Sequence, residues 1–138
     1  ILQISRLSHL QSINSFFLDK LSQIAQKLNS NQQGNVIRKM KEYIEANYNS
    51  DLTLKNLSKI FHYNVAYFGK LFKSNTGMSY NDYVTSVRME KAKELLNQGE
   101  KVYKVANQVG YQDLDYFNMK FKKYFNALPS DFHKDNNK

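Results

Sequence analysis

Two stretches of this chain carry the same residue types at the same offsets. Tyr67-Phe68, Phe72-Lys73, Gly77 and Tyr83 return 49 residues later as Tyr116-Phe117, Phe121-Lys122, Asn126 and Phe132. Upstream, Leu54, Leu57, Phe61 and Tyr63 match Val102, Val105, Val109 and Tyr111 at a spacing of 48, so the second copy holds one extra residue between its two parts. A repeat of this kind marks one supersecondary unit used twice. Whatever one copy folds into, the other must also adopt, which removes most architectures at once. Within each copy the apolar residues recur at intervals of three and four and a short break divides them. Each copy therefore reads as a helix, a turn and a second helix, the helix-turn-helix arrangement.

The punctuation agrees. One proline and five glycines serve the whole chain, too few for a many-turned β structure. Thr53 predicts an N-cap for a helix over Leu54–His62, and Asn64 one for Val65–Asn75, stopped by Gly77. A long helix follows over Tyr80–Asn97, closed by Gly99, and a short one over Lys101–Val109, broken by Gly110. Asp113 caps the next, over about 114–125, and Pro129 suits the first turn of a last short helix with Ser130 and Asp131 behind it. His62 stands where Gly110 closes the matching helix. Either residue accepts the left-handed conformation of a helix end, His at a steric cost that Gly does not have. Toward the N terminus, Leu10, Ile13, Phe17, Leu21, Ile24 and Leu28 predict an amphipathic helix over 9–28. The polar segment NSNQQGN (29–35) reads as a linker. A second helix is expected from Val36 to Tyr48 with Ile37, Met40, Ile44 and Tyr48 inward. The expected fold class is all-α: two helix-turn-helix subdomains joined by a long central helix, preceded by an amphipathic N-terminal helix.

The second helix of each copy has two faces. At 100° per residue, Phe117, Phe121, Tyr124 and Phe125 share one side, and Asp115, Asn118, Met119 and Lys122 the other. In the first copy Phe68, Leu71, Phe72 and Asn75 fall together, opposite Ala66, Gly69, Lys70 and Lys73. The rings belong to the core, and the opposite face is left small, polar or basic. Taken singly, each of these residues reads equally well as a solvated position. Together they fit the major groove, where exposed side chains of a helix reach base edges while lysines such as Lys73, Lys122 and Lys123 meet phosphates. Ala66 and Gly69 allow close approach and leave room for a thymine methyl. Lys70 donates to guanine or to a phosphate. Asn118 has the donor and acceptor that adenine needs, and Met119 offers an apolar contact. Asp115 accepts from cytosine, although a carboxylate in a first turn is favoured anyway. The joining helix of about 18 residues measures roughly 27 Å. With the width of its neighbours, that sets two recognition helices roughly 34 Å apart, one turn of DNA.

Charge and composition narrow the alternatives. The formal net charge is +8, and from Asn35 onward 17 Lys and Arg stand against 11 Asp and Glu. Such an excess is compatible with a polyanionic partner and does not by itself require one. The absence of cysteine excludes disulfides, thiol chemistry and cysteine-ligated zinc, which suits a cytoplasmic setting. No apolar run approaches the eighteen or so residues of a membrane span, so no membrane partner is expected. His9, His62 and His133 lie far apart in sequence, and no HExxH, GxxxxGK[ST] or GxSxG occurs. No catalytic residue, metal or cofactor is expected, and an enzyme is unexpected.

Residues 35–135 resemble the DNA-binding domain of AraC/XylS-type transcription regulators of bacteria. The most specific part is VYKVANQVGYQDLDYFNMKFKKYFNALPSDFHK, Val102 to Lys134, around Gly110, Tyr111, Asp113, Tyr116-Phe117, Phe121-Lys122-Lys123 and Pro129. LTLKNLSKIFHYNVAYFGKLFKSNTGMSYNDYV is similar to the family's other helix-turn-helix, and VRMEKAKELL to its connecting helix. The resemblance implies a seven-helix fold, sequence-specific binding of double-stranded DNA, and usually activation of transcription through contact with RNA polymerase. Carried over by position, the base-reading sites are Ala66, Gly69 and Lys70 in the first recognition helix (65–75), and Leu114, Asp115, Asn118 and Met119 in the second (114–125). Leu114 is the exception to the helical wheel, which places it near the core. Asn126, Leu128 and His133 depart from the family's glycine, Ser/Thr and arginine, and Gly69 and Lys70 stand where a polar residue and an arginine are frequent.

The implied domains are 35–138, the double helix-turn-helix, and 1–34, a linker or dimerisation helix from a truncated N-terminal region. The stripe over 9–28 has three readings: packing on the domain, the seam of a homodimer, or the tail of a missing ligand-binding or receiver domain. The wording of the carboxyl half resembles the receiver-bearing response regulators most. The rival class is a helical protein-interaction module that binds no DNA. RNA binding is a third reading, disfavoured because the rings point inward rather than offering stacking platforms.

Overall fold

A computed structural model describes the backbone of residues 2–133 and the side chains of residues 10–133. The side chain of His9 and the carboxyl-terminal end from Lys134 onward lie outside the described residues. Among the described residues all regular structure is helical: α1 (Leu2–Ala46), α2 (Leu54–Phe61), α3 (Val65–Thr76), α4 (Tyr80–Asn97), α5 (Val102–Gln108), α6 (Leu114–Phe125) and α7 (Pro129–Phe132).

The expected linker at 29–35 is a correction. α1 runs through it without a break. A single glycine inside a helix costs only about 1 kcal/mol relative to alanine. Ending one helix and nucleating another costs more than carrying hydrogen bonds through a polar stretch that contains no proline. The chain forms two compact units, residues 1–38 and 39–138. In the first, the stripe of Leu10, Ile13, Phe17, Leu21, Ile24 and Leu28 is exposed along its whole length.

In the second unit the predicted caps are in place. Thr53 Oγ1 accepts from the Asn56 amide, Asn64 Oδ1 from the amides of Ala66 and Tyr67, and Asp113 Oδ1 from the Tyr116 amide. Ser79, which starts α4, accepts likewise from Asp82. Each such bond satisfies a donor that the helix leaves open and contributes about 1 kcal/mol. At α7 the Asp131 carboxylate accepts from the Leu128 amide at 2.9 Å, but the leucine side chain has no acceptor to return the bond. At the helix ends His62 (φ 60°) and Asn126 (φ 56°) take the left-handed conformation.

α4 belongs to both repeats. Its first half gives Tyr80 and Val84 to the core that contains Leu57, Phe68, Leu71 and Phe72. Its second half gives Met89, Ala92 and Leu96 to a cluster with Val105, Ala106, Val109, Tyr111, Phe117 and Phe121. The central rings are packed in matching ways: Phe72 lies 5.3 Å from Tyr83 and Phe121 lies 5.6 Å from Phe132, both edge-on. Burial pushes the Tyr80 phenol up to about 12, and its hydroxyl donates to the Leu52 carbonyl at 2.7 Å. Two residues expected on the inner faces are instead exposed. Tyr124 is 42% exposed, edge-on against Phe125, with its hydroxyl donating to Glu90 Oε1 at 3.4 Å. Asn75 is exposed and its amide turns back to the Leu71 carbonyl. Both sit one turn past the last buried ring or side chain of their helix, so the right angle on the wheel meets no partner.

Candidate nucleic-acid interface

The core rings fix how α3 and α6 are rotated. Phe68 and Phe72, and likewise Phe117 and Phe121, have no exposed surface, so the opposite face of each helix is held outward. On α3 that face carries Ala66, Lys70 and Lys73, all exposed, with Gly69 half-buried between them. A Cβ on Gly69 would meet Leu54 Cδ2 at 3.1 Å. The smallness of this residue therefore also serves the packing of α2 on α3, a contact that sequence reading missed.

On α6 the face carries Asp115, Met119, Lys122 and Lys123, all exposed, and Asn118, half-buried. Leu114 is 40% exposed. Its expected place near the core is a correction, because the wheel assigns an angle and not a height: Leu114 is the first residue of α6, a turn ahead of Phe117, the first ring the core takes in. The seven residues assigned to base reading thus fall into two groups, one on each helix. Beside each group stands an exposed tyrosine that the sequence marks in the repeat but not on the outward face, Tyr67 on α3 and Tyr116 on α6. Their equivalence in the repeat was the available signal. Lys120 Nζ rests over the Tyr116 ring at 5.5 Å.

The turns that deliver the two helices differ. Between α2 and α3, Tyr63 lies at the surface and stacks flat on Phe68 at 5.2 Å. Between α5 and α6, Tyr111 is buried, and the Arg88 guanidinium lies over its ring at 5.4 Å. Burial raises the Tyr111 phenol, opposed by the charge of Arg88. Arg88 was not singled out from sequence. Its Nε donates to the Tyr48 carbonyl and its Nη2 to the Ser50 carbonyl, both at 2.8 Å. Among the described residues no three His, Cys, Asp or Glu gather as a metal site, and no helix is long and apolar enough to cross a membrane.

The helix-turn-helix domain family matches over residues 57–135. The C-terminal domain of the two-component response regulator yesN from Fusobacterium nucleatum is 37% identical, with a TM-score of 0.69 over 72% of this chain and 99% of that one. The C-terminal domain of AraT, a response regulator from Geobacillus stearothermophilus, is 28% identical, with a TM-score of 0.70 over 75% and 90%. The Msm operon regulatory protein of Streptococcus mutans is 31% identical over 100 residues, 72% of this chain and 36% of that protein. The chain spans less than half the length of the curated relatives it matches. These relatives are regulators, not enzymes, in line with the reading of the sequence. With its two helix-turn-helix repeats on a shared central helix, the chain belongs to the AraC-type helix-turn-helix family and carries that family's DNA-binding domain.

Proposed function

We propose that this chain is the DNA-reading end of a bacterial transcription regulator that works in the cytoplasm and places α3 and α6 in successive major grooves of one duplex. Ala66, Gly69 and Lys70 meet bases from α3, and Leu114, Asp115, Asn118 and Met119 from α6. Lys73, Lys122 and Lys123 meet phosphates. The observation that carries this reading is the orientation of two equivalent helices, each anchored by two fully buried rings and each turning a small, polar or basic face outward. An interaction module would have no need for two helices turned outward at equivalent positions of a repeat.

Titration with duplex DNA tests it. Log affinity should fall linearly with log salt as lysines displace counterions, and promoter fragments should differ in affinity. Equal binding to every duplex would leave only a nonspecific polyanion binder.

The domain division follows. Residues 35–138 are the reading domain, and residues 1–34 are a linker that pairs two chains through the stripe over 9–28. Six large apolar side chains exposed at helical spacing on one helix support this pairing. Sedimentation should show a dimer that Leu21→Asp converts to monomer; a monomeric wild type ends the pairing idea. The relatives named as response regulators favour a receiver domain upstream. Resemblance to the family favours activation through RNA polymerase, which a reporter strain checks: deletion of the gene should lower transcription from its promoter, and a rise would mark a repressor.

A further inference from the structure

Three separate segments of the second unit meet at Arg88. The residue lies near the middle of α4, between the half that builds the first core and the half that builds the second. Two of its hydrogen bonds go to main-chain carbonyls, those of Tyr48 and Ser50, so they hold the path of the chain that enters the first helix-turn-helix. Its flat guanidinium also covers Tyr111 in the turn of the second. The fit is close. Gly110 has φ +93°, and a Cβ there would come within 3.1 Å of Arg88 Cζ, Arg88 Nη2 and the Tyr48 carbonyl oxygen. The turn of the second repeat thus lies against both the guanidinium and the connection into the first. A lysine cannot replace this arrangement, because it has no planar fork to bond two carbonyls while stacking on a ring.

We propose that Arg88 is a positioning residue that sets the separation and relative rotation of α3 and α6, and through them the half-site spacing that the domain accepts on DNA. This deepens the reading of α3 and α6 as two groove-entering helices, and it rests on that reading. Two helices on one rigid unit bind cooperatively only where the duplex presents the two grooves at matching distance and phase. Loosening the clasp should therefore act on spacing and not on base preference.

Two measurements test the proposal on the full chain. The first uses no DNA. The chain has no native cysteine, so Ser74→Cys and Lys123→Cys, equivalent positions on α3 and α6, accept spin labels, with unlabelled chain added to suppress pairs between molecules. The wild type should give one narrow distance distribution, and Arg88→Lys a broader or displaced one. An unchanged distribution overturns the proposal. The second compares a bound site with versions carrying one or two base pairs inserted or removed between its halves, and with each half alone. Wild type should lose about tenfold or more on altered spacing. Arg88→Lys should bind the native spacing more weakly, bind single halves as before and depend less on spacing. Uniform loss at every spacing and on single halves would show a merely structural role and overturn the proposal. If Arg88→Lys does not fold, Tyr111→Leu removes the ring and keeps both carbonyl bonds, and a flattened spacing profile is expected again. A wild type that binds one half as tightly as the pair overturns the two-groove reading and the spacing role together. The label distances then still report whether Arg88 holds the helices.

Discussion

In the first helix-turn-helix the turn is held from within its own helices, whereas in the second that hold, Tyr111 against Tyr116 and Phe117, is joined by one from outside. Tyr63, 37% exposed, leans on Tyr67 and Phe68 of the helix that follows it. Tyr111, at the matching place in the repeat, is 8% exposed beneath a guanidinium that comes from α4. The same residue type at equivalent positions therefore lives in two environments. The closing residues follow suit: His62 takes its left-handed conformation at an open surface, while Gly110 takes its own where a Cβ would press on Arg88 and the Tyr48 carbonyl at 3.1 Å. The outward faces differ in parallel, with alanine, glycine and lysine on α3 against aspartate, asparagine and methionine on α6. A duplicated plan has kept its ring packing in both copies and diverged where the copies meet solvent or each other.

The largest effects should come from the shared part of the plan. Phe72→Ala and Phe121→Ala each remove a fully buried ring and should cost about 3–5 kcal/mol by chemical denaturation. Because both cores use α4, either change should lower the stability of the whole second unit in one transition. Two separate transitions would show that the halves fold independently.

Next come the reading faces, where the copies should part. Asn118→Ala should leave folding stability nearly unchanged and weaken specific binding by about 1–3 kcal/mol, relaxing preference at one base pair. Lys70→Ala should weaken binding more evenly across sequences, since a mobile ammonium slides to phosphate where an amide holds a paired geometry. The half-site under α3 should thus be the more degenerate one, A·T-rich and read partly through DNA shape. A scan of every base pair in a bound site that finds greater losses under α3 than under α6 would reverse this ranking.

The smallest effect sharpens the comparison of turns. His62→Gly relieves the steric cost of a left-handed non-glycine residue and should stabilise the unit by about 0.5–1 kcal/mol. If thermal melts show a loss instead, the imidazole has a role at the turn that its exposure conceals.

Much of this molecule was legible because its signals are local. A side-chain acceptor before α2, α3 and α6, a residue that accepts the left-handed conformation after each of them and rings every three or four residues report on neighbours within one turn, and the caps at Thr53, Asn64 and Asp113 and the inward rings follow from them. What was hidden depends on distance or on balance. Arg88 bonds to carbonyls 40 and 38 residues away, and a carbonyl leaves no mark in the sequence. Leu54 behind Gly69 is a packing fact of the same kind. The fused α1 required weighing one glycine against the cost of a new helix nucleus, and the exposure of Leu114, Asn75 and Tyr124 required knowing how far along its helix each core extends.

The two unlike faces have a consequence for the geometry of any site they read together. Regulators that pair two identical reading units have a twofold axis, and their operators are palindromes that look the same from either strand. Here a single chain carries both faces, and no rotation exchanges alanine, glycine and lysine for aspartate, asparagine and methionine. On the proposed reading its site is a pair of different words in fixed order, without a dyad. Binding therefore has a heading: each site orients the reading unit toward one end of the DNA, and inverting the site in place exchanges the ends toward which α3 and α6 lie.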